Sequence, residues 1–206
     1  MDRVVIASNN PGKLRELDAL LAPLGLAGVA QSEFSIGEAE EPHGTFVENA
    51  LAKARHAAKA TGLAALADDS GLCVPALGGA PGVHSAYYAG QEGDRCTRDA
   101  RNNAKLVTAL RETPDRRAFY YCVLVLVGDA ADPTPVIAEG RWHGEILLEP
   151  RGTGGFGYDP YFLPRGATLT AAEMPADEKN RVSHRARAMA ALLGKMRLDP
   201  GPSSRL

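Results

Sequence analysis

Residues 4–13 read VVIASNNPGK, and this stretch decides how the fold begins. Residues 4–7 are β-branched or small and apolar, which is typical of a buried strand. The polar residues that follow favour a turn, after which Leu14 and Leu17 recur at helical spacing. The stretch therefore predicts a strand, a polar turn and the first turns of a helix.

The turn at residues 8–13 precedes a helix N-terminus, where free backbone N–H groups and the helix dipole favour anions. Lys13 adds a cation. The turn is not a P-loop, because Ala7 and Leu14 stand where that motif requires a glycine and a hydroxyl side chain. An anion site is one interpretation, although an ordinary polar turn with a surface lysine explains the segment better when it is taken alone.

Strand and helix patterns continue along the rest of the chain. The predicted strands cover residues 63–67, 119–127, 136–148 and 161–163, and the predicted helices cover 46–60, 98–110 and a segment that begins at Ser183. Helices that flank a mixed sheet, in two lobes with a cleft between them, are the expected α/β architecture. We expect one domain over residues 1–198 and a disordered tail at residues 199–206.

The composition is that of a folded globular protein, with 45% hydrophobic and 23% charged residues among 206. A net charge of −2 gives no field that would attract nucleic acid. No apolar run approaches the ~20 residues that cross a bilayer, so we expect no membrane partner. The cysteines, which are Cys73, Cys96 and Cys122, form no C-x-x-C pair and fit a reducing cytoplasm.

Asp68 and Asp69 follow the predicted strand 63–67, where we expect a turn or the strand end. Neighbouring carboxylates can share a hard divalent cation while one of them accepts a proton from water. Because side chains alternate along an extended strand, both reach one site only if the chain bends at Ser70-Gly71. A turn that these residues form for structural reasons explains the pair equally well.

Further polar side chains lie before and within the predicted helix 46–60. The acidic residues Glu38, Glu40 and Glu41 could complete a Mg²⁺ site, although a solvated loop is the safer interpretation. Asn49 and Lys53 are four residues apart and share a helical face, so both could contact one ligand. A solvated helix face explains these two nearly as well.

Residues 152–157 match the G-x-G-x-x-G pattern of dinucleotide-binding folds. We reject that interpretation, because Tyr158-Asp159-Pro160 follows and forbids an immediate helix. A glycine-rich loop remains, in which the backbone can approach a ligand and Phe156 offers an aromatic face to a base.

Basic side chains lie around the start of the last predicted helix. His184 and Arg185 could donate hydrogen bonds to a carbonyl, with Lys179 nearby in the sequence. An arginine in a first helical turn is disfavoured by the helix dipole, which suggests a ligand contact. The alternative is a Ser183 N-cap beside incidental basic residues.

Six segments together resemble the inosine triphosphate pyrophosphatase family. They are SNNPGK at 8–13, TFVENA at 45–50, ADDSGL at 67–72, LGGAPG at 77–82, GFGYDP at 155–160 and SHR at 183–185. They occur in the family's order, and the resemblance extends from residue 4 to about residue 195. The bacterial branch that prefers deoxyinosine and xanthosine triphosphates is the most similar.

The resemblance implies Mg²⁺-assisted hydrolysis of dITP, ITP, XTP and dXTP to the monophosphate and pyrophosphate. Water would attack the α-phosphate. It also implies an elongated α/β fold with a central nucleotide-binding cleft, and a cytoplasmic homodimer that removes non-standard purine nucleotides from the pool.

Roles for individual residues follow from the same resemblance. Lys13 and Lys53 are expected to bind phosphates, and Asp69 is expected to be the catalytic base. The expected metal ligands are Asp68, Asp69 and either Glu40 or Glu41. Phe156 would stack on the purine, Asp159 would contact the base or sugar, and Lys179, His184 and Arg185 would lie near O6. The remaining expected substrate contacts are Ser8, Asn9, Asn10, Pro11, Gly12, Asn49, Ser70, Gly157 and Tyr158.

Two other functions stay open at this point. One is a Maf-like pyrophosphatase that acts on modified pyrimidine nucleotides. The other is a nucleotide-binding sensor without turnover, against which the adjacent acids argue, because a pure binder gains little from carboxylates placed beside a polyanion.

Overall fold

The structure is a computed structural model that describes residues 3–198. The strands are β1 (Arg3–Ile6), β2 (Ala27–Ala30), β3 (Ala65–Cys73), β4 (Arg117–Val127), β5 (Val136–Ile146) and β6 (Phe162–Pro164). The helices are α1 (Pro11–Leu21), α2 (Phe46–Thr61), α3 (Arg95–Leu110), α4 (Ala176–Val182) and α5 (His184–Leu198). Short 3₁₀ turns occur in several of the connections. The predicted tail at residues 199–206 lies outside the described residues.

Within residues 3–198 the strands form one six-stranded sheet in the order β2-β1-β3-β4-β5-β6. β1 is parallel to β2 and to β3, whereas β5 and β6 are antiparallel. The predicted α/β fold with a mixed sheet and flanking helices is therefore confirmed. No helix among the described residues is long and apolar enough to cross a membrane.

The chain divides into two compact units. The first unit holds the described residues up to Asp69, Cys122–Gly140 and the described residues from His184 onward. The second unit holds Ser70–Tyr121 and Arg141–Ser183. The single domain over residues 1–198 and its central cleft stay predictions.

Local sequence signals place several elements correctly. Thr45 caps α2 by accepting a hydrogen bond from the Glu48 N–H, and Gly62 ends the helix with φ of 68°. Glycine adopts this left-handed conformation without steric cost, which explains why the helix stops there. The predicted strand 161–163 corresponds to β6, shifted by one residue.

One prediction about the sheet is wrong. Residues 68–71 do not form a turn or a strand end, because β3 continues through them to Cys73. Two aspartates inside a buried strand would normally end it, since an uncompensated buried charge is costly. Here both carboxylates have cationic partners, which are described below.

Each unit has its own apolar core. In the first unit, Leu17 and Leu21 of α1 pack with Leu66 of β3, Leu124 of β4 and Met189 of α5. Removing each of these side chains from water contributes roughly 1.5–3 kcal/mol. The packing explains the leucine spacing of α1, because its apolar face covers the sheet.

The core of the second unit is richer in aromatic residues. The ring of Phe162 lies 4.7 Å from that of Tyr120 and 5.3 Å from that of Trp142, measured between centroids. Leu72 and Leu106 complete this cluster from β3 and α3. This aromatic cluster adjoins the candidate site, because the Tyr120 hydroxyl donates a hydrogen bond to Asp159.

Gly140 of β5 marks a close approach between α5 and the sheet. A Cβ at this position would lie 2.5 Å from the Ala188 nitrogen and nearer still to the His184 carbonyl oxygen. We therefore expect Gly140→Ala to lower the free energy of unfolding by about 1–3 kcal/mol, as measured by urea denaturation.

Gly194→Ala is the matched control for this substitution. Gly194 is exposed on α5, and apart from its chain neighbours and the helix's own backbone no atom among the described residues lies within 4 Å of a Cβ built there. Its replacement should stabilise the protein by up to ~1 kcal/mol through helix propensity. Equal unfolding midpoints for the two variants would contradict the close contact.

Candidate active site

The turn at residues 8–13 joins β1 to α1, as the sequence predicts. Asn10 is the helix N-cap, and its Oδ1 accepts hydrogen bonds from the N–H groups of Gly12 (2.9 Å) and Lys13 (3.2 Å). The Ser8 hydroxyl accepts a bond from the Asn10 N–H at 3.2 Å. The turn is therefore ordered by its own side chains, and it presents Lys13 in the first turn of α1.

Asp68 is the centre of a buried ionic network in the first unit. The Lys13 Nζ lies 2.6 Å from its Oδ1, and the Arg185 Nε donates to its Oδ2 at 2.7 Å. The Cys122 thiol also contacts Oδ2, at 3.2 Å. Arg185 additionally pairs with Glu16. Both Asp68 and Arg185 are only 1% exposed, so the two carboxylates compensate a fully buried guanidinium.

The partners of Asp68 set its charge. Burial alone would raise the pKa of Asp68, but the charges of Arg185 and Lys13 outweigh it and hold the pKa well below the ordinary value. Burial and the nearby Asp68 charge raise the pKa of the Cys122 thiol well above its ordinary value. Asp68 is thus an anion that holds two cations, while Cys122 is a neutral donor.

Asp69 has a different set of partners in the same unit. The Lys53 Nζ lies 2.8 Å from Asp69 Oδ1 and 3.4 Å from Glu41 Oε2. Burial raises the pKa of Asp69 more than Lys53 and Lys13 lower it. The Oδ2 atom of Asp69 is buried and has no hydrogen-bond partner among the described residues. Asp69 therefore keeps one acceptor oxygen for a molecule from outside the chain.

Strand alternation explains why adjacent carboxylates differ. β3 is extended through both residues, so their side chains leave the strand in opposite directions and meet different partners. The bend at Ser70-Gly71 that would bring both side chains to one site is not present, because β3 continues to Cys73. The pKa values move apart, downward for Asp68 and upward for Asp69. Two carboxylates whose environments separate their pKa values are typical of acid–base sites.

The predicted metal ligands are only partly brought together. Glu41 and Asp69 meet at Lys53, and both Glu40 and Glu41 are exposed residues. Within residues 3–198 no group of three or more His, Cys, Asp or Glu side chains forms a metal site. Two buried oxygens without hydrogen-bond partners among these residues, Asp69 Oδ2 and Asn9 Oδ1, are of the chemical type that Mg²⁺ binds. These residues therefore fit a hard cation that keeps water ligands.

Lys53 and Asn49 do not form a solvated helix face, because both are buried. The Asn49 Oδ1 accepts a bond from the His43 N–H, and its Nδ2 donates to the His43 carbonyl, both at 3.1 Å. Asn49 therefore anchors the loop that carries Glu41. Its contact with a ligand stays a prediction.

A second polar cluster lies in the second unit around Asp159. The Asp159 Oδ2 accepts bonds from the Lys179 ammonium at 2.7 Å and from the Phe156 N–H at 2.9 Å. The Tyr120 hydroxyl donates to Oδ1 at 3.1 Å. Lys179 also lies 4.9 Å from the centroid of the Phe156 ring. The structure thus gathers three of the residues predicted to contact the base.

The other predicted base residues have partners of their own. The Tyr158 hydroxyl donates to the Ser85 carbonyl at 2.9 Å. His184 is buried at the start of α5 in the first unit. Two carboxylates compensate Arg185, so its place in a first helical turn does not require a ligand. The contacts of His184 and Arg185 with O6 stay predictions.

Sequence reasoning missed Glu16, Cys122 and Tyr120. Glu16 and Cys122 contact residues that are distant in sequence, 169 positions from Arg185 in one case and 54 from Asp68 in the other. Cys122 and Tyr120 lie inside an apolar strand pattern that indicates only a core position. No local signal marks any of the three.

Comparisons with known proteins identify the family of this chain. Residues 4–195 match the sequence profile of the Ham1 family. A dITP/XTP pyrophosphatase from Burkholderia pseudomallei (strain K96243) is 62% identical over 194 residues, which are 94% of this chain and 93% of that protein. One from Ralstonia nicotianae (strain ATCC BAA-1114 / GMI1000) is also 62% identical, over 96% of this chain and 98% of its own length.

A solved structure extends the similarity to the fold. The structure of a HAM1 protein from Coxiella burnetii superposes with a TM-score of 0.86 at 47% identity, and the match covers 96% of this chain and all of that one. Sequence and fold therefore agree over almost the whole chain. The resemblance carried by the six segments is confirmed, and the chain belongs to the Ham1 family.

Proposed function

We propose that this chain hydrolyses non-standard purine nucleoside triphosphates, namely dITP, ITP, XTP and dXTP, to the monophosphate and pyrophosphate. The relatives at 62% identity are named dITP/XTP pyrophosphatases, which supports the substrate class. The observation that carries the chemistry is the divided environment of Asp68 and Asp69. One carboxylate is held as an anion by Lys13 and Arg185, and the other keeps an acceptor oxygen and a raised pKa.

The triphosphate is bound by Lys13 and Lys53. Phosphoryl transfer passes through a loose transition state whose charge is spread over oxygens, so positioning and charge neutralisation do most of the catalysis. Asp68 fixes the ammonium of Lys13, and Asp69 with Glu41 fixes that of Lys53. The polar turn surrounds the phosphates with Ser8, Asn9, Asn10, Pro11 and Gly12.

Asp69 is the general base. Its Oδ2 accepts a proton from a water molecule whose oxygen attacks the α-phosphorus. The bond from that phosphorus to the oxygen bridging the α- and β-phosphates breaks, and pyrophosphate leaves. A pKa raised above the ordinary aspartate value makes the carboxylate a stronger base.

Mg²⁺ is the proposed cofactor. Both oxygens of Asp68 already have protein partners, so we assign the metal to Glu41, directly or through water, with Asn9 Oδ1 as a further oxygen donor. Asp69 would hold the metal through water, because its Oδ2 is the proton acceptor. When bound, the cation supplies charge neutralisation on the phosphates and on the leaving pyrophosphate.

The base is recognised by the cluster around Asp159. Phe156 stacks on the purine, Asp159 contacts the base or sugar, and Lys179 donates to the 6-keto oxygen together with His184. A donor aimed at this oxygen rejects the 6-amino group of adenine, because two donors would then face each other without an acceptor. Following the family resemblance, we also propose a homodimer that acts in the cytoplasm.

The test is phosphorus NMR of the products formed from dITP, XTP, GTP, ATP and a modified pyrimidine triphosphate with Mg²⁺. Monophosphate and pyrophosphate should form fastest from dITP and XTP. Faster cleavage of the pyrimidine compound would favour a Maf-like enzyme, and binding without turnover would favour a sensor. Release of orthophosphate alone would contradict attack at the α-phosphorus.

A further inference from the structure

Three polar residues of α3 share one face of that helix. Arg95, Asp99 and Asn103 are spaced by four residues, which aligns their side chains along the helix. All three contact one segment of the second unit, residues 155–159, which we call the base loop because it carries Phe156 and Asp159.

Gly157 of the base loop is held by both of its backbone polar groups. Its N–H donates to Asp99 Oδ2 at 3.0 Å, and its carbonyl accepts a bond from Asn103 Nδ2 at 2.9 Å. The same Nδ2 donates to the Asp99 carbonyl at 2.9 Å, which fixes the orientation of the Asn103 amide. Asn103 is 7% exposed, so these bonds are shielded from water.

These contacts also determine where Phe156 lies. The Phe156 N–H is bound to Asp159, and the following residue is bound to α3, so the backbone is fixed on both sides of the aromatic residue. The Arg95 guanidinium lies 4.8 Å from the centroid of the Phe156 ring, and its Nε lies 3.7 Å from Asp99 Oδ2. Asp99 therefore contacts both the loop backbone and the cation beside its ring.

A neighbouring asparagine shows that holding the base loop is not a general property of α3. Asn102 is buried and accepts a bond from the Ala89 N–H at 2.7 Å, while its Nδ2 donates to the carbonyls of Ser85 and Ala86 at 3.2 Å. It thus holds the connection before α3. Asn103 binds the Gly157 peptide of the base loop directly, whereas within residues 3–198 Asn102 is linked to that loop only through the Ser85 carbonyl, which also accepts the Tyr158 hydroxyl.

We propose that Asp99 and Asn103 are positioning residues for purine recognition, which hold the Gly157 peptide so that Phe156 is already placed to stack on the base. The inference rests on the proposed function of Phe156. A loop that is ordered before binding loses less conformational freedom when the nucleotide arrives. The contribution is therefore to substrate affinity, and not to the hydrolytic step at the α-phosphate.

Asn103→Asp is the main test, because it replaces the donor to Gly157 with a second acceptor at the same volume. We expect faster hydrogen exchange in a peptide that covers residues 154–160. We also expect the KM for dITP to rise by ~10-fold, the effect of about one lost hydrogen bond to a buried group, with kcat changed less than ~2-fold. Inhibition by inorganic tripolyphosphate, which has no base, should be unchanged.

Two substitutions of Asp99, one conservative and one not, provide a second test if Asn103→Asp does not fold. Asp99→Asn keeps an oxygen that accepts the Gly157 N–H and should retain a KM near that of the unaltered chain. Asp99→Ala removes the acceptor and should raise the KM as Asn103→Asp does. Equal KM values for the two Asp99 variants would overturn the positioning role.

Asn102→Asp is the matched control on the same helix. It should lower thermal stability, and because it does not touch the Gly157 peptide it should accelerate exchange in the base loop and raise the KM for dITP much less than Asn103→Asp does. The inference is overturned if Asn102→Asp raises the KM as much as Asn103→Asp, or if exchange in the base loop is unchanged by Asn103→Asp. The exchange measurement needs no turnover, so failure of the unaltered chain to release pyrophosphate would reject the proposed function separately.

Discussion

Asp69→Asn is expected to abolish pyrophosphate release while the fold stays intact. The amide keeps the volume and one oxygen near Lys53, but it cannot accept a proton from water. General-base catalysis contributes roughly 10²–10⁴-fold to rate, so kcat/KM for dITP should fall by at least ~100-fold. The measurement is the pyrophosphate signal in phosphorus NMR, with circular dichroism melting as the check on folding.

The stability of this variant is part of the expectation. Because burial raises the pKa of Asp69, its ionised form already costs folding free energy, and removing that charge offsets the weakened partner of Lys53. Asp115→Asn is the control, since Asp115 pairs with Arg117 at the surface and should keep full activity. Turnover by Asp69→Asn at a near-normal rate would reject Asp69 as the base.

Arg185→Met is expected to lower the free energy of unfolding by about 3–5 kcal/mol, the usual cost of removing one partner of a buried ion pair. The substitution removes the ion pairs of Arg185 with Asp68 and Glu16, while Lys13 still contacts Asp68. Methionine fills much of the volume, so the loss measures charge rather than a cavity. Urea denaturation at neutral pH provides the value.

Arg187→Met is the control for this prediction. Arg187 lies on the same helix but is exposed, so its replacement should change stability by no more than about 0.5 kcal/mol. Similar losses for the two arginine variants would show that the buried pairing is not the cause.

The pH dependence of stability gives a second readout for Arg185→Met. The pKa of Asp68 lies well below its ordinary value, so its stabilising contribution is complete above the ordinary value of about 4 and is lost as the pH falls through the folded-state pKa. Without Arg185 that pKa moves upward. The variant should therefore lose less stability than the unaltered chain between about pH 5 and about pH 2.

The sequence predicts the elements whose signals are local. The capping box at Thr45 and Glu48 locates α2, and the apolar run before a polar turn locates β1 and α1, because each depends on residues a few positions apart. The mixed sheet follows from the order of these elements. The six segments identify the family without any knowledge of their contacts.

The site is only partly predictable because its decisive contacts are long-range. Asp68 looks like the end of a strand, and the residues that let β3 continue through it lie 55 and 117 positions away. Local patterns assign no charge state to either aspartate. In the same way, Phe156 is recognisable as an aromatic residue in a glycine-rich loop, but nothing in residues 95–103 indicates that α3 holds that loop.

Because the side chains of Asp68 and Asp69 alternate along β3, the first of these neighbouring residues stabilises the fold and the second carries the proposed reaction. Replacing the second acid would leave a folded chain without its general base, whereas replacing the first would remove a carboxylate that compensates the buried Arg185 and would destabilise the fold. One strand therefore supplies a stabilising ion pair and a reactive group from neighbouring residues, and the two can be altered separately.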